Sequence, residues 1–210
     1  MSGRSAARRD ELTALFEASE RRLGTPLRLT GRGLWHASPP EVVLEACRIL
    51  DRRGLLGGDG RSARVLDAGM GDGRVLAALG ALYGERAGLT SVGIEWDETL
   101  FQAALENLER LALADHARLR VARGDYTEDS TWAAVGLSPG ELSLILKYPD
   151  GDETPLERLV IERCGPGVLL CLLSPDPEAE MDGLRRVWVE TLFPDDPRLH
   201  LPWFVSAHAR

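Results

Sequence analysis

The stretch "VLDAGMGDGRVL", residues 65–76, decides the fold. A short apolar run ends in Asp67 and enters a turn with Gly69, Gly71 and Gly73. It leaves the turn as an apolar segment of helical character. Strand, glycine-rich turn and helix, in that order, open the nucleotide-binding units of doubly wound α/β folds. There the glycines let the backbone pass close to a ligand. The spacing then narrows the ligand. A dinucleotide loop needs its third glycine where this chain has Arg74. No Gly-Lys-Ser/Thr follows the loop, which excludes a P-loop.

Downstream, strands and helices alternate. "TSVGIEW" reads as a strand, and the long stretch after Asp97 as a helix capped by that residue. "ARLRVARGD" is a third strand, "DSTWAAVGL" a short helix and "LSLILKYPD" a fourth strand, apolar through its middle. "TPLERLVIERCG" is a helix with a capping box from Thr154 to Glu157, and "VLLCLLSPD" is a fifth strand. "RRVWVETLF" and "LHLPWFVSAH" are strand-like runs joined by "PDDP", which predicts a closing hairpin. Upstream, Leu12, Leu15, Phe16 and Leu23 predict a helix over 10–23. A polar link "GTPLRLTGRGLWHA" follows, then a helix with Ser38 and Glu41 as a capping box and Gly54 as its stop. The predicted architecture is α/β. It is a doubly wound, Rossmann-like, mostly parallel seven-stranded sheet with a C-terminal antiparallel hairpin. Residues 1–32 read as a helical arm and 33–210 as the domain.

With 210 residues and 44% hydrophobic content the chain is large enough for one substantial core. No apolar run approaches the ~20 residues of a membrane span. The charged N-terminus lacks a signal-peptide core, so the cytoplasm is the expected location. Cys47, Cys164 and Cys171 form no Cys-x-x-Cys pair and read as small buried apolar residues. The net charge of −8 is uneven. Residues 1–32 hold seven arginines against four acids, leaving −11 on the rest, which argues against a nucleic-acid partner. Lys147 is the sole lysine.

The loop and three later segments resemble the class I S-adenosylmethionine-dependent methyltransferases, over roughly residues 33 to 175. In that family an apolar strand, an acid and Gly-x-Gly-x-Gly form the first motif, as "VLDAGMGDG" does here. The resemblance implies S-adenosyl-L-methionine as cofactor. It implies the backbone of Gly69, Gly71 and Gly73 against its aminocarboxypropyl and ribose parts, with Asp67 toward the methionine ammonium. In "VGIEWD", Glu95 takes the position of the acid that accepts from both ribose hydroxyls, which suits a carboxylate with two acceptor oxygens. In "RGDYTED", Asp125 matches the acceptor of the adenine amino group. Tyr126 and Trp96 stand ready to pack on the ring. Trp35 and His36, before the first helix of the fold, are placed to cover the methionine end.

The turn "LILKYPDGDE" is similar to the aromatic- or acid-proline turns of amino-group methyltransferases. It makes Lys147, Tyr148 and Asp150 the candidate catalytic residues. The wording "GDGRVLAA…GIEWD" looks most like small protein-lysine methyltransferases with a Gly-Asp-Gly-Arg loop. Met70, where the family usually has a small residue, and the different fourth-strand turn are departures. The implied acceptor is an amine, possibly a protein lysine. Alternatives are a small-molecule N- or O-methyltransferase, for which Trp188, Phe193, Trp203 and Phe204 offer a mouth, and a non-catalytic cofactor-binding protein. No metal site is expected, because clustered Asp and Asn ligands are not evident around 147–153.

Overall fold

The computed structural model describes residues 3–25, 27–31, 33–114, 116–149, 151–179, 181–193 and 202–210. Helix α1 (Gly3–Leu23) is followed by strands β1 (Leu27–Thr30) and β2 (Gly33–His36), then α2 (Pro40–Arg52). The alternating part runs β3 (Ala63–Ala68), α3 (Arg74–Tyr83), β4 (Leu89–Glu95), α4 (Glu98–Arg110), β5 (Leu119–Arg123), α5 (Asp129–Val135), β6 (Leu144–Lys147), α6 (Thr154–Arg163) and β7 (Leu169–Ser174). Strands β8 (Arg185–Leu192) and β9 (Trp203–Ala209) close it.

The large sheet has the order β5-β4-β3-β6-β7-β9-β8. Its first five strands are parallel, and β9 runs antiparallel to both β7 and β8. This is the predicted seven-stranded sheet with its antiparallel hairpin. The segment "PDDP" that was read as the connection lies outside the described residues. The inner strands are mostly apolar through their middles because both faces are covered. Along β7, Leu170 and Leu172 face the core shared with α6, while Cys171 and Leu173 face the core under α2. Leu12 and Phe16 of α1 are fully buried in the latter core, so the arm read over 1–32 packs against the sheet's own helices. Among the described residues no helix is long and apolar enough to cross a membrane.

Three local readings are corrected. The polar link is a β-hairpin, with Leu27 opposite His36 and Thr30 opposite Gly33. Its four-residue strands are too short for alternation to stand out from a loop. The Ser38–Glu41 capping box does not form. The cap is Pro39, without a side-chain bond, and the Ser38 carbonyl accepts instead from Arg74. The Thr154–Glu157 box is likewise absent. Thr154 donates to Asp152, and the Glu157 carboxylate turns to the backbone N–H of Gly183. At Glu157 a partner distant in the chain takes the place of the local one. Asp97 does cap α4 as read, accepting from Leu100 N at 3.0 Å.

Candidate functional site

At the C-terminal ends of the parallel strands lies a cavity of about 270 Å³. That is the usual place for a ligand in an open α/β sheet. Asp67, Gly69, Glu95, Trp96, Asp125, Tyr126, Lys147, Tyr148, Trp35 and His36 all line it. Residues far apart in the chain thus meet because parallel pairing brings the ends of β3, β4, β5 and β6 side by side. Asp150 lies outside the described residues.

The loop's glycines have separate reasons. Gly69 N and Met70 N both donate to the Ile94 carbonyl at 3.0 Å, which folds the loop back over β4. All three glycines have left-handed φ, from 56° at Gly71 to 77° at Gly73. A methyl on Gly71 would stand 2.1 Å from Trp35 Nε1, so the indole lies directly on the loop. Gly73 faces Ala104 of α4, where a methyl would come within 3.0 Å, and serves helix packing. Met70 fills space over Gly93, where a side chain would meet its sulfur at 2.3 Å. The large loop residue is accommodated by the missing side chain on β4.

Glu95 ends β4 almost fully buried. Its Oε2 accepts from Gly71 N and its Oε1 from Asp97 N, both at 2.8 Å. Burial raises its pKa, while those two N–H groups and Lys147 oppose the rise. Asp125 accepts from Thr127 N at 2.8 Å and is also buried. Tyr126 packs against the core under α5 and α6, and its carbonyl accepts from Trp132 Nε1 at 2.6 Å. Trp96 remains nearly half exposed, beside Gly31 of the hairpin.

Asp67 is the most perturbed carboxyl. Its Oδ2 is buried with no hydrogen-bond partner among the described residues. Burial, then the charges of Glu95 and Asp72, push its pKa up to about 7 against the pull of Lys147. Lys147, buried at the end of β6, holds its ammonium over Gly69, 3.3 Å from where a methyl on that residue would stand. Beside it His36, Tyr148 and Trp203 form an aromatic wall. Ring centroids are 5.5 Å apart for His36–Tyr148, 5.8 Å for Tyr148–Trp203 and 6.5 Å for His36–Trp203. Burial, then the Arg74 charge, lower the His36 pKa, so it presents a neutral imidazole. Trp188 instead lies under the Arg53 guanidinium.

Arg74 does more than exclude a dinucleotide. Its guanidinium is 5% exposed and pairs in a fork with Asp72 at 2.8 and 2.9 Å. It also reaches Glu20 of α1 at 3.2 Å and the Ser38 carbonyl. Asn107 of α4 donates to the Asp72 carbonyl at 2.9 Å and to Ser19 at 3.1 Å. The loop is thereby tied to α1 and α4. Sequence reading missed this network, although the Asp-x-Arg spacing was its visible trace. It also missed that Cys47 and Cys171 line the same cavity. Among the described residues no group of three or more His, Cys, Asp or Glu is arranged to hold a metal.

The strand order, with the reversed strand β9 in the sixth position between β7 and β8, is that of the class I S-adenosylmethionine-dependent methyltransferase fold. The chain is similar to an RNA methyltransferase from Salinibacter ruber whose structure contains S-adenosyl-L-homocysteine. The identity is 20%, over 82% of this chain and 92% of that one, with a TM-score of 0.53. An rRNA methyltransferase from Streptomyces viridochromogenes is 14% identical over 79% of this chain and 84% of its own, with a TM-score of 0.57. A geranyl diphosphate C-methyltransferase from Streptomyces coelicolor is 12% identical over 79% of each chain, with a TM-score of 0.52. At these identities the fold is what is shared. No protein-family model matches the chain, and no curated protein does.

Proposed function

We propose that the protein is an S-adenosylmethionine-dependent methyltransferase acting on an amine. One observation carries the reading. Three buried carboxyls, Asp67, Glu95 and Asp125, stand at the ends of three neighbouring strands and line one cavity. That set suits a ligand with an ammonium, a vicinal diol and an amino-substituted ring. The residues fit such a ligand. Asp67 Oδ2 has no hydrogen-bond partner among the described residues, and Gly69 lines the cavity. Asp67 would take the ammonium, Glu95 the diol and Asp125 the ring amine.

When bound, the cofactor supplies a methyl group already activated by a sulfonium. An amine acceptor entering with its lone pair free would take that methyl and then lose its extra proton to solvent. The protein then contributes orientation and exclusion of water. Tyr148 and the neutral His36 can accept hydrogen bonds from an amine without adding positive charge beside it. Lys147 offsets the carboxyls of Asp67 and Glu95. A protein lysine as acceptor rests on the Gly-Asp-Gly-Arg wording of the loop. An RNA acceptor is favoured by the names of two fold neighbours and opposed by the −11 charge of residues 33–210.

Calorimetric titration with S-adenosylmethionine, S-adenosylhomocysteine and NAD tests the cofactor. Both sulfur compounds should bind. Failure of both to bind folded protein would sink the reading, and NAD binding instead would mean the loop is misread. A pH series sharpens the test. An ammonium favours ionised Asp67, so binding releases a proton wherever that carboxyl is still protonated. Affinity for S-adenosylhomocysteine should therefore rise by about five- to tenfold from pH 6 to 7.5, through the raised value of about 7. Asp67→Asn should bind more weakly and flatten the profile. A wild-type profile that falls across this range would contradict the assignment of Asp67.

A further inference from the structure

We propose that the acceptor is a lysine on a protein segment with apolar residues beside it, and that the outer face of the β1–β2 hairpin docks that segment. This rests on the methyl-transfer reading above. In the hairpin Leu27 lies opposite His36, and Leu29 opposite Leu34. Cross-strand partners share a face, as do alternate residues of one strand, so Leu27, Leu29, Leu34 and His36 form one face. Arg28, Thr30 and Trp35 form the other, which is already engaged. Trp35 lies on Gly71. Arg28 donates to Thr99 Oγ1 at 3.1 Å and stands 3.7 Å from Asp97. The first face is open. Leu27, Leu29 and Leu34 are 45%, 82% and 43% exposed, and they are the only exposed leucines among the described residues.

The hairpin's own folding does not ask for these leucines. A two-stranded hairpin buries little, and threonine or valine would suit an exposed strand better. Three neighbouring bare leucines mark a contact surface instead. That surface runs into the cavity. Leu34 and His36 both line it, and the His36 ring packs 5.5 Å from that of Tyr148. This continuity selects the occupant. Leu27 and Leu29 do not line the cavity, so a small amine held wholly inside would leave both in water. A nucleic acid needs cations along its phosphates. This face offers none, since Arg28 turns to the other side and His36 is neutral. An extended peptide fits both parts. Its side chains two residues apart point the same way. A lysine reaching in toward Tyr148 and His36 therefore sets its second neighbours against the leucines. The cavity also suits the lysine's arriving charge. Its lining holds five carboxyls, with exposed Asp152 among them, against two cations, Arg74 and Lys147.

The test uses the full chain loaded with S-adenosylhomocysteine and two synthetic peptides, with calorimetry as the readout. Each peptide has one central lysine among serines and glycines. The first carries leucine two places before and two places after the lysine, and the second carries serine there. The leucine peptide should bind about tenfold more tightly or better, as burial of leucine side chains implies. The double variant Leu27→Ser with Leu29→Ser should weaken that peptide by about fivefold or more. Its S-adenosylhomocysteine Kd should move less than twofold. Leu29→Ser alone decides the matter if the double variant does not fold, because that side chain has least to lose in the fold. The proposal is overturned if the loaded protein binds the two peptides alike or binds neither. It is overturned too if the folded variants hold the leucine peptide as the wild type does. Sedimentation that finds a wild-type dimer and a monomeric double variant would give the face to a second copy and end the proposal. Methylation of tRNA or of a small amine that both variants leave intact would do the same. No S-adenosylhomocysteine binding by the folded wild type would instead fell the methyl-transfer reading, and this inference with it.

Discussion

Replacing Arg74 by Met should lower stability by about 3–5 kcal/mol, the range for breaking a buried ion pair by removing one partner. The aliphatic volume is nearly kept, so the loss is electrostatic. Asp72, with a side chain 1% exposed, would be left with its charge but without its guanidinium fork. Glu20 and the Ser38 carbonyl would lose the same donor. For a chain of this size the melting temperature should fall by about 10 °C. The double variant Arg74→Met with Asp72→Asn should recover part of the loss, because the stranded charge is then gone. Thermal denaturation of the two variants checks this. A double variant less stable than Arg74→Met would show that the fork's charge is not the cause. Tethering of the loop to α1 gives a second readout. Arg74→Met should expose the amide protons of α1 to faster exchange than those of α5, which shares none of the network.

Glu95→Ala should weaken S-adenosylhomocysteine by about tenfold or more, which is ~1.5 kcal/mol and in the range for hydrogen bonds to a charged group. Two losses combine. The ligand's diol loses its acceptor, and Gly71 N and Asp97 N lose theirs, which loosens the loop on one side and the start of α4 on the other. Glu95→Gln separates them. Its single amide oxygen can satisfy one N–H and one hydroxyl, so its affinity should fall between the wild type and Glu95→Ala. Calorimetry gives the affinities, and a melt shows whether the fold has suffered. An unchanged Kd in Glu95→Ala would remove this carboxylate from the site.

The parts of this molecule legible in the sequence are those whose cause is local. The central strands are largely apolar because both faces are covered, and β6 and β7 show it in runs broken only at their last residue. Asp67, Glu95 and Asp125 stand out through the family resemblance, each at a position where a strand meets a turn. Illegible were the parts whose partners lie far along the chain. Glu20 and Ser38 reach Arg74 across 54 and 36 residues. The aromatic wall takes one ring from β2, one from the end of β6 and one from β9. Apolar residues that line the cavity likewise come from α2, β7 and β9. Even at Glu95, reading the sequence suggested a ligand contact but not the two backbone amides that its carboxylate already holds. The failed capping boxes teach the same lesson. Glu157 has the right residue type at the right spacing, but its carboxylate turns to the Gly183 N–H, a partner that only the folded chain supplies.

The fit of Met70 over the bare backbone of Gly93 makes the glycine loop a poor interchangeable part. A loop transplanted with alanine or serine at position 70 would carry every glycine needed for the turn. It would still leave a methionine-sized hollow behind it. A side chain placed at position 93 beneath the native loop would lift that loop off the sheet. The two positions form a lock whose halves sit on different elements. Exchange of this loop with another protein of the fold succeeds only if the strand residue travels with it.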